Sequence, residues 1–152
     1  MSVEIQLHSP EETSAFAAAL GARLQPGDVI LLEGGIGAGK THFARSLIQS
    51  LLEEPEDVPS PTFTLVQVYE TPRSEVWHAD LYRLSDPNEA TELGLEDAFD
   101  SAICLVEWPD RLSDLAPAGA LSMSLEATGD DSRHVQLNWQ DDKWAARLKG
   151  LL

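Results

Sequence analysis

The chain has 152 residues, of which 43% are hydrophobic and 24% charged, and these proportions suit one globular domain with one sizeable core. Its net charge of −16 repels phosphate backbones, so we expect no DNA binding and no nucleic acid held by charge alone. No apolar run reaches about 18 residues and the first residues lack a secretion signal, so we expect no membrane span. With a single cysteine, Cys104, inside an apolar run, these features predict a cytoplasmic protein whose buried thiol is inert.

The first third of the chain predicts a strand, a helix and a second strand. Residues 3–7 alternate weakly, as a short strand does, and Ser9-Pro10-Glu11-Glu12 predicts a helix start. Serine caps helices, proline suits the first turn, and acids favour the positive end of the helix dipole. Val29-Ile30-Leu31-Leu32 is a continuous apolar run, typical of a strand buried on both faces.

Strand and helix patterns alternate through the remainder. A helix is expected from Lys40 to about Leu52, followed by a proline-bearing loop over residues 53–61. Apolar alternation then predicts five strands, two pairs of which flank turn residues and form hairpins. The expected strands are residues 64–70, 75–79, 103–106, 121–125 and 134–138, and three more helices are expected after Asp86, over 95–99 and over 141–151.

A glycine-rich loop stands between the first buried strand and the helix after it. Its sequence, Gly34-Gly35-Ile36-Gly37-Ala38-Gly39-Lys40-Thr41, matches the pattern G-x-x-x-x-G-K-[ST]. Glycines let successive backbone N–H groups turn inward around an anion, and the helix adds its positive end. Lys40 supplies charge to the β- and γ-phosphates, and the Thr41 hydroxyl can bind Mg²⁺. Because a strand precedes the loop and a helix follows it, the pattern predicts binding of ATP and Mg²⁺.

These elements together predict the architecture. The fold class is α/β, with residues 1–152 as a single P-loop NTPase-like domain. We expect a mainly parallel central sheet, some antiparallel strands and helices on both faces.

A P-loop site also needs an acid at the end of a neighbouring strand, to hold the metal or polarise water. Glu107 follows the more apolar strand and Asp80 a shorter, more polar one. Both remain candidates, one directly and one through water. His78 has no other His or Cys at ligand spacing, which favours a structural histidine. The segment Ser60-Pro61-Thr62-Phe63 is a candidate switch that senses the γ-phosphate, although its spacing equally fits a proline-stiffened turn.

Several segments together resemble the TsaE (YjeE) family, the small P-loop ATPases of bacterial tRNA threonylcarbamoyladenosine synthesis. They occur in order over about residues 31–111, and the five together are far more specific than the P-loop alone. They are Gly34–Thr41, Ser60–Val66 with Tyr69, His78–Leu84, Glu92–Asp97 and Val106–Arg111.

The resemblance implies a function as well as a fold. Such ATPases bind a TsaB–TsaD pair, in which TsaD modifies an adenosine beside the tRNA anticodon, and ATP hydrolysis resets the complex between rounds. Contact with tRNA is then only indirect. Carried over by position, Lys40 and Thr41 bind phosphate and Mg²⁺, and Asp80 and Glu107 are the acidic partners of the metal or of water.

Further roles follow from the same resemblance. Thr62 lies in the switch-like loop, and Trp108 is a signature aromatic that implies a role in activity or in the response to nucleotide. The alternative interpretation of Trp108, as a tryptophan of the core or of the pocket wall, stays open. The short match at Glu11-Glu12-Thr13 implies that Glu12 and Thr13 lie near the adenine.

The chain departs from the family pattern at three positions. Gly35 stands where an acid is usual, His42 where a small hydroxyl residue is usual, and Ala98 where an aromatic is common. Gly35 removes no phosphate-binding group. We expect His42 to alter contacts on the α-phosphate side without preventing nucleotide binding.

Two other functions remain open. A small-molecule kinase usually brings several Arg or Lys residues to a lid, whereas only Lys40, Lys143 and Lys149 occur here and no arginine cluster is present. A nucleotide-gated ATP switch with slow hydrolysis is the other alternative. The guanine-reading tetrapeptide Asn-Lys-x-Asp is absent, which disfavours a Ras-like GTPase.

Overall fold

Seven strands form one sheet, and helices cover it in the computed structural model, which describes residues 1–152. The strands are β1 (Ser2–Leu7), β2 (Val29–Glu33), β3 (Val66–Glu70), β4 (Glu75–Asp80), β5 (Ile103–Glu107), β6 (Leu121–Ala127) and β7 (Arg133–Asn138). The helices are α1 (Pro10–Gly21), α2 (Lys40–Leu51), α3 (Asn88–Glu92), α4 (Leu95–Ser101) and α5 (Lys143–Leu148), with a 3₁₀ segment over Pro109–Leu115. None of the helices combines the length and the apolar character needed to cross a membrane.

The strand order is β1-β7-β6-β2-β5-β4-β3, with the parallel strands in the middle. β6, β2, β5 and β4 pair in parallel, whereas β7 lies antiparallel between β1 and β6, and β3 is antiparallel to β4. Five strands therefore run in one direction and only β3 and β7 run in the other. This confirms the predicted α/β fold with a mainly parallel sheet and some antiparallel strands.

The continuous apolar run of β2 serves two cores. Ile30 and Leu32 belong to the larger core, beside α1, α2 and α5. Val29 and Leu31 point the other way, to a core that includes α3 and α4. Helices thus cover both faces, as predicted, and a strand with two buried faces has no polar side in its sequence. Cys104 on β5 is also fully buried, and burial raises the pKa of its thiol to about 12.

The predicted start of α1 agrees with the structure, whereas the predicted ends of α5 do not. Ser9 caps α1 by accepting a hydrogen bond from the Glu12 N–H at 3.1 Å, as its sequence predicts. The last helix, α5, is shorter than expected. The Asp141 carboxylate instead accepts from the Lys143 N–H at 3.0 Å, a local turn that competes with helix. At the other end Lys149 leaves the helix with ψ 124°, and Gly150 follows with φ +82°.

Candidate nucleotide and magnesium site

The cleft that contains most of the predicted site residues lies at the carboxyl ends of the parallel strands. β2 runs into the glycine loop, β4 ends at Asp80, and β5 ends at Glu107. Asp80 and Glu107 are register partners on neighbouring strands, so their side chains meet at one edge of the sheet. The cleft is lined by Ile36, Gly37, Ala38, Gly39, Lys40, Thr41, His42, Thr62, Asp80, Tyr82, Glu107 and Trp108.

The glycines of the loop are not equivalent. Gly34, Gly37 and Gly39 have φ of +142°, +80° and +101°, values that L-residues with side chains rarely adopt. A Cβ at Gly34 would also lie 2.5 Å from the Leu125 carbonyl oxygen, whereas nothing lies within 4 Å of a Cβ at Gly35. The loop therefore needs glycine at Gly34 and has room for the acid that the family usually carries at the next position.

Lys40 lies between the loop and an indole ring. Its Nζ donates to the Gly34 carbonyl and lies 3.5 Å from the centroid of the Trp108 ring. Trp108 reaches this place because it leaves β5 with φ 58° and ψ 54°, a left-handed conformation. Burial lowers the pKa of Lys40, and the carboxylates of Glu107 and Asp80 counteract this. The ammonium is thus held at the start of the phosphate loop, against an aromatic face that attracts cations.

Glu107 joins the loop to the sheet through its carboxylate. Thr41 Oγ1 donates to Glu107 Oε1 at 2.9 Å and lies 3.1 Å from Oε2. His78 Nε2 lies 2.7 Å from Glu107 Oε2, and both residues are buried. Because an ionised carboxylate only accepts hydrogen bonds, His78 Nε2 is the donor. His78 Nδ1 has no partner, so the bond to Glu107 is the one polar contact of this ring.

Asp80 connects the sheet to the candidate switch segment. Its Oδ2 accepts from Thr62 Oγ1 at 3.1 Å, and its Oδ1 accepts from the Tyr82 N–H at 3.1 Å. Thr62 also bonds Ser60 Oγ at 2.8 Å. Leu65, with φ 68°, accepts from the Asp80 N–H at 2.9 Å. The segment is therefore tied to the end of β4 by side-chain and main-chain bonds.

The donor set in the cleft suits Mg²⁺. Thr41, Asp80 and Glu107 offer only oxygen ligands, which hard cations prefer. No group of three or more His, Cys, Asp or Glu side chains is placed to hold a metal ion by itself. Mg²⁺ characteristically takes one or two carboxylates and completes its shell with water and substrate phosphates. The residues present therefore fit a magnesium ion that arrives with a nucleotide.

Glu12 and Thr13 lie outside the cleft. The Glu12 carboxylate accepts from the His8 N–H at 3.2 Å, and the buried Thr13 hydroxyl donates to the Ser9 carbonyl at 3.3 Å. Two side chains of the loop helix contact this part of α1. His42 Nε2 lies 3.2 Å from the Pro10 carbonyl and 3.3 Å from Ser14 Oγ, and Ser46 Oγ lies 2.9 Å from Ser14 Oγ. The placement of Glu12 and Thr13 near the adenine remains a prediction.

Three residues in or beside the site carry no predicted role from their sequence. The Tyr82 ring contacts Trp108 with centroids 4.9 Å apart, and its place two residues after Asp80 was the available signal. His78 fixes Glu107 although the sequence indicates only a structural histidine. Arg133 bonds the Ala38 carbonyl at 2.9 Å from 95 residues away, and no local pattern indicates this contact.

A strand, a glycine loop and a helix bearing Lys40 and Thr41, with Asp80 and Glu107 at the ends of adjacent strands, define the class of P-loop NTPase-like proteins. Comparisons with known proteins agree with this class. The model of the family described as "Threonylcarbamoyl adenosine biosynthesis protein TsaE" matches residues 7–135.

The relatives narrow the class further. The tRNA threonylcarbamoyladenosine biosynthesis protein TsaE of Rickettsia bellii is 42% identical over 127 residues, which is 84% of this chain and 88% of that protein. The protein of the same name from Bacillus subtilis is 38% identical over 128 residues, 84% of this chain and 79% of its own. A crystal structure of YdiB from Bacillus subtilis superposes with TM-score 0.83 at 29% identity, covering 99% and 94% of the two chains. The chain belongs to the TsaE family.

Proposed function

We propose that this protein is a small Mg-dependent ATPase of the cytoplasm that acts with a TsaB–TsaD complex. The complex would attach threonylcarbamoyl to the adenosine beside the tRNA anticodon, and ATP hydrolysis would reset it between turnovers. The observation that carries the proposal is the meeting of Lys40, Thr41, Asp80 and Glu107 around one cleft. Membership of the TsaE family supplies the pathway, and the cleft supplies the chemistry.

Each residue has a distinct task in this proposal. The main-chain N–H groups of Gly34–His42 cradle the phosphates, and Lys40 moves from the Gly34 carbonyl to the β- and γ-phosphates. When bound, Mg²⁺ would neutralise charge on the phosphoryl group that is transferred to water. Thr41 and Glu107, already in contact at 2.9 Å, would hold this ion. We assign Asp80 to orient the attacking water, directly or as a ligand of the metal through water.

Thr62 and Trp108 would report the state of the site. Thr62 bonds Asp80 at 3.1 Å, so a change in the partners of Asp80 alters what holds the segment around Ser60. Trp108 lies 3.5 Å from Lys40 Nζ, and movement of the ammonium to a phosphate removes this contact. Nucleotide binding is therefore expected to change the tryptophan environment and to loosen or re-order the switch segment.

The net charge of −16 suggests the chemistry of the partner. An acidic protein that works on a tRNA-modifying complex would meet a basic surface on its protein partners and would contact tRNA only indirectly. Association is then expected to weaken steeply between low and physiological salt. Binding that does not change with salt would contradict this part of the proposal.

The test is ATP turnover by the purified protein, alone and with the TsaB–TsaD pair of the same organism. Low basal turnover that the pair raises, and that Lys40→Ala abolishes, is the expected result. Lys149→Ala is the matched control, because this lysine is exposed near the last residue of the chain and does not line the cleft. No response to the pair would overturn the partner assignment, and unchanged nucleotide affinity in Lys40→Ala would overturn the site.

A nucleotide-gated switch is the second candidate, and the bond between Thr62 and Asp80 favours it over a kinase. The cleft presents one lysine and no arginine. It therefore lacks the several cationic side chains with which a kinase lid neutralises the transferred phosphoryl group. The ATPase and the nucleotide-gated switch differ in what releases this protein from the TsaB–TsaD pair. If Glu107→Gln with ATP stays bound to the pair, whereas the wild type dissociates from it after one turnover, hydrolysis is the reset step. If both release at the same rate, binding alone is the signal.

A further inference from the structure

The hairpin of β6 and β7 packs directly against the phosphate loop. The Leu125 carbonyl of β6 is so close to Gly34 that a Cβ there would lie 2.5 Å from it. On β7, Arg133 Nε lies 3.3 Å from where a Cβ of Gly39 would be. The hairpin therefore forms a wall beside the loop, although its sequence carries no phosphate-binding pattern.

Arg133 bonds only to main-chain carbonyls. Its Nε donates to the Ala38 carbonyl at 2.9 Å and its Nη2 to the Gly37 carbonyl at 3.4 Å. Its Nη1 donates to the hairpin turn, at 2.8 Å to Ser132 and 3.4 Å to both Gly129 and Asp130. No carboxylate lies within ion-pair distance of it. One planar guanidinium thus joins the turn of the hairpin to two consecutive peptide groups of the loop.

The loop itself holds only one of these peptide groups, through the Ala38 N–H, which donates to the Gly35 carbonyl at 3.1 Å. Gly37 and Gly39 both have positive φ, and glycine adopts either sign of φ with similar ease. Gly39 also stands at the cap of α2, where it has no side chain that could bond the first turn. The peptide group between Ala38 and Gly39 is therefore tied down by the contact of its carbonyl with Arg133, from outside the loop.

We propose that Arg133 is a positioning residue for the phosphate loop, which rests on the proposed function. A trans peptide is planar, and its C=O and N–H point in opposite directions. When Arg133 holds the Ala38 carbonyl outward, the N–H of Gly39 must point to the other side, into the cleft. Arg133 thereby sets the direction of an anion-binding donor without touching the anion.

The geometry separates this role from a simple charge effect. Arginine presents a rigid planar fork that can serve two carbonyls and a turn at once, whereas lysine supplies a point charge with no fork. If orientation is what Arg133 supplies, Arg133→Lys fails nearly as badly as Arg133→Met. If charge near the phosphates is what it supplies, Arg133→Lys retains the wild-type affinity.

The experiment measures two quantities on Arg133→Lys, Arg133→Met and the wild type. The first is hydrogen exchange of the amides of residues 37–40 in the nucleotide-free protein. The second is the dissociation constant for ADP. We expect faster exchange at Ala38, whose N–H donates to the Gly35 carbonyl at 3.1 Å. We also expect roughly 10-fold weaker ADP binding in both variants, because only a fraction of the molecules would then hold the loop in the binding conformation. KM should rise more than kcat falls, because the loop holds ground and transition state alike.

Arg23→Met is the matched control. Arg23 also donates to main-chain carbonyls, those of Arg147 and Lys149, but at the other end of the molecule. It should lower stability comparably and leave ADP affinity and loop exchange unchanged.

Three outcomes would overturn the positioning role. They are unchanged loop exchange with unchanged ADP affinity in both variants, unchanged exchange with lost affinity, which would indicate direct contact with the nucleotide, and full ADP affinity in Arg133→Lys. If the wild type binds no nucleotide at all, the proposed function fails, while the exchange measurement still decides whether Arg133 orders the loop.

Discussion

Buried carboxylates occur at both ends of the central strands, and their partners differ. Asp28, just before β2, is 2% exposed and lies 3.0 Å from Lys143 Nζ and 2.9 Å from Arg147 Nε. It also accepts from the Gln25 N–H at 2.8 Å. Burial raises the pKa of Asp28, but the hydrogen bonds from Arg147, Gln25 and Lys143 outweigh it, and the pKa lies below its usual value. This acid ties α5 to the start of β2.

At the other end, Glu107 and Asp80 are equally buried, at 2% and 6% exposed, but neither has a Lys or Arg nitrogen within ion-pair distance. Their donors are two hydroxyls, one imidazole N–H and one main-chain N–H. Burying a charge without a cation costs stability. Two such acids, side by side at the ends of parallel strands, are expected at a site where a cation such as Mg²⁺ binds together with a nucleotide.

The comparison therefore separates a structural acid, Asp28, from the two acids that we propose to be functional. Removing the charge of Asp28 should harm folding and leave catalysis intact. Removing the charge of Glu107 should do the reverse.

The largest expected effect is that of Glu107→Gln. The amide keeps the shape and still accepts from Thr41 but cannot neutralise Mg²⁺, so we expect kcat for ATP to fall by roughly 10²–10³-fold. The free energy of unfolding should change little, because the weakened bond from His78 is offset by the removal of a buried charge that has no Lys or Arg within ion-pair distance. Turnover assays and urea denaturation check both halves of this prediction. A clear loss of stability with turnover retained would erase the distinction between the two ends.

Asp28→Asn is the converse variant. Losing the charge that Arg147 and Lys143 meet should lower the free energy of unfolding by about 1.5–3 kcal/mol. Turnover per folded molecule should equal that of the wild type, because Asp28 lies at the far end of the strands. Urea denaturation and kcat at saturating ATP measure the two quantities. A tenfold drop in kcat would show that the two ends are coupled.

His78 sharpens the comparison at the functional end. His78→Leu removes the donor at 2.7 Å from Glu107. The apparent affinity for Mg²⁺, measured from turnover at increasing Mg²⁺ concentrations, should fall by about 10- to 100-fold, as it does when a hydrogen-bond partner of a metal ligand is lost. Glutamine places its amide nitrogen near the position of an imidazole Nε2, so His78→Gln should recover most of the activity. Equal defects in the two variants would indicate that packing, not the bond to Glu107, is what His78 supplies.

The smallest expected effect is on the pH dependence of stability. Because the pKa of Asp28 is lower in the folded state, its contribution is present above the unfolded value of about 3.9 and is lost as pH falls through the folded value. Wild type should therefore lose more stability than Asp28→Asn as the pH falls below about 4. Denaturation at several pH values measures this difference. Parallel curves for the two proteins would contradict the assigned role of Asp28.

Local chemistry explains which features could be predicted. Ser9 caps a helix through bonds within four residues, and Val29–Leu32 displays its two buried faces directly in its composition. The acids at the ends of β4 and β5 were recognisable because the phosphate loop made one such acid expected. The helix over 141–151 came out too long, because the turn at Asp141 and the positive φ of Gly150 compete with a periodic pattern.

The sequence by itself determined the strands and helices, the phosphate loop and its lysine, and the two acids that face it, since each depends on neighbours a few residues away. Only the tertiary structure decided which buried groups meet. The register of β4 against β5 places Asp80 beside Glu107, and the pairing of β7 with β6 brings Arg133 to the loop. Lys143 and Arg147 reach Asp28 across more than a hundred residues because α5 packs at the start of β2. Such pairings are set by the packing of the whole sheet, and no local pattern in the chain encodes them.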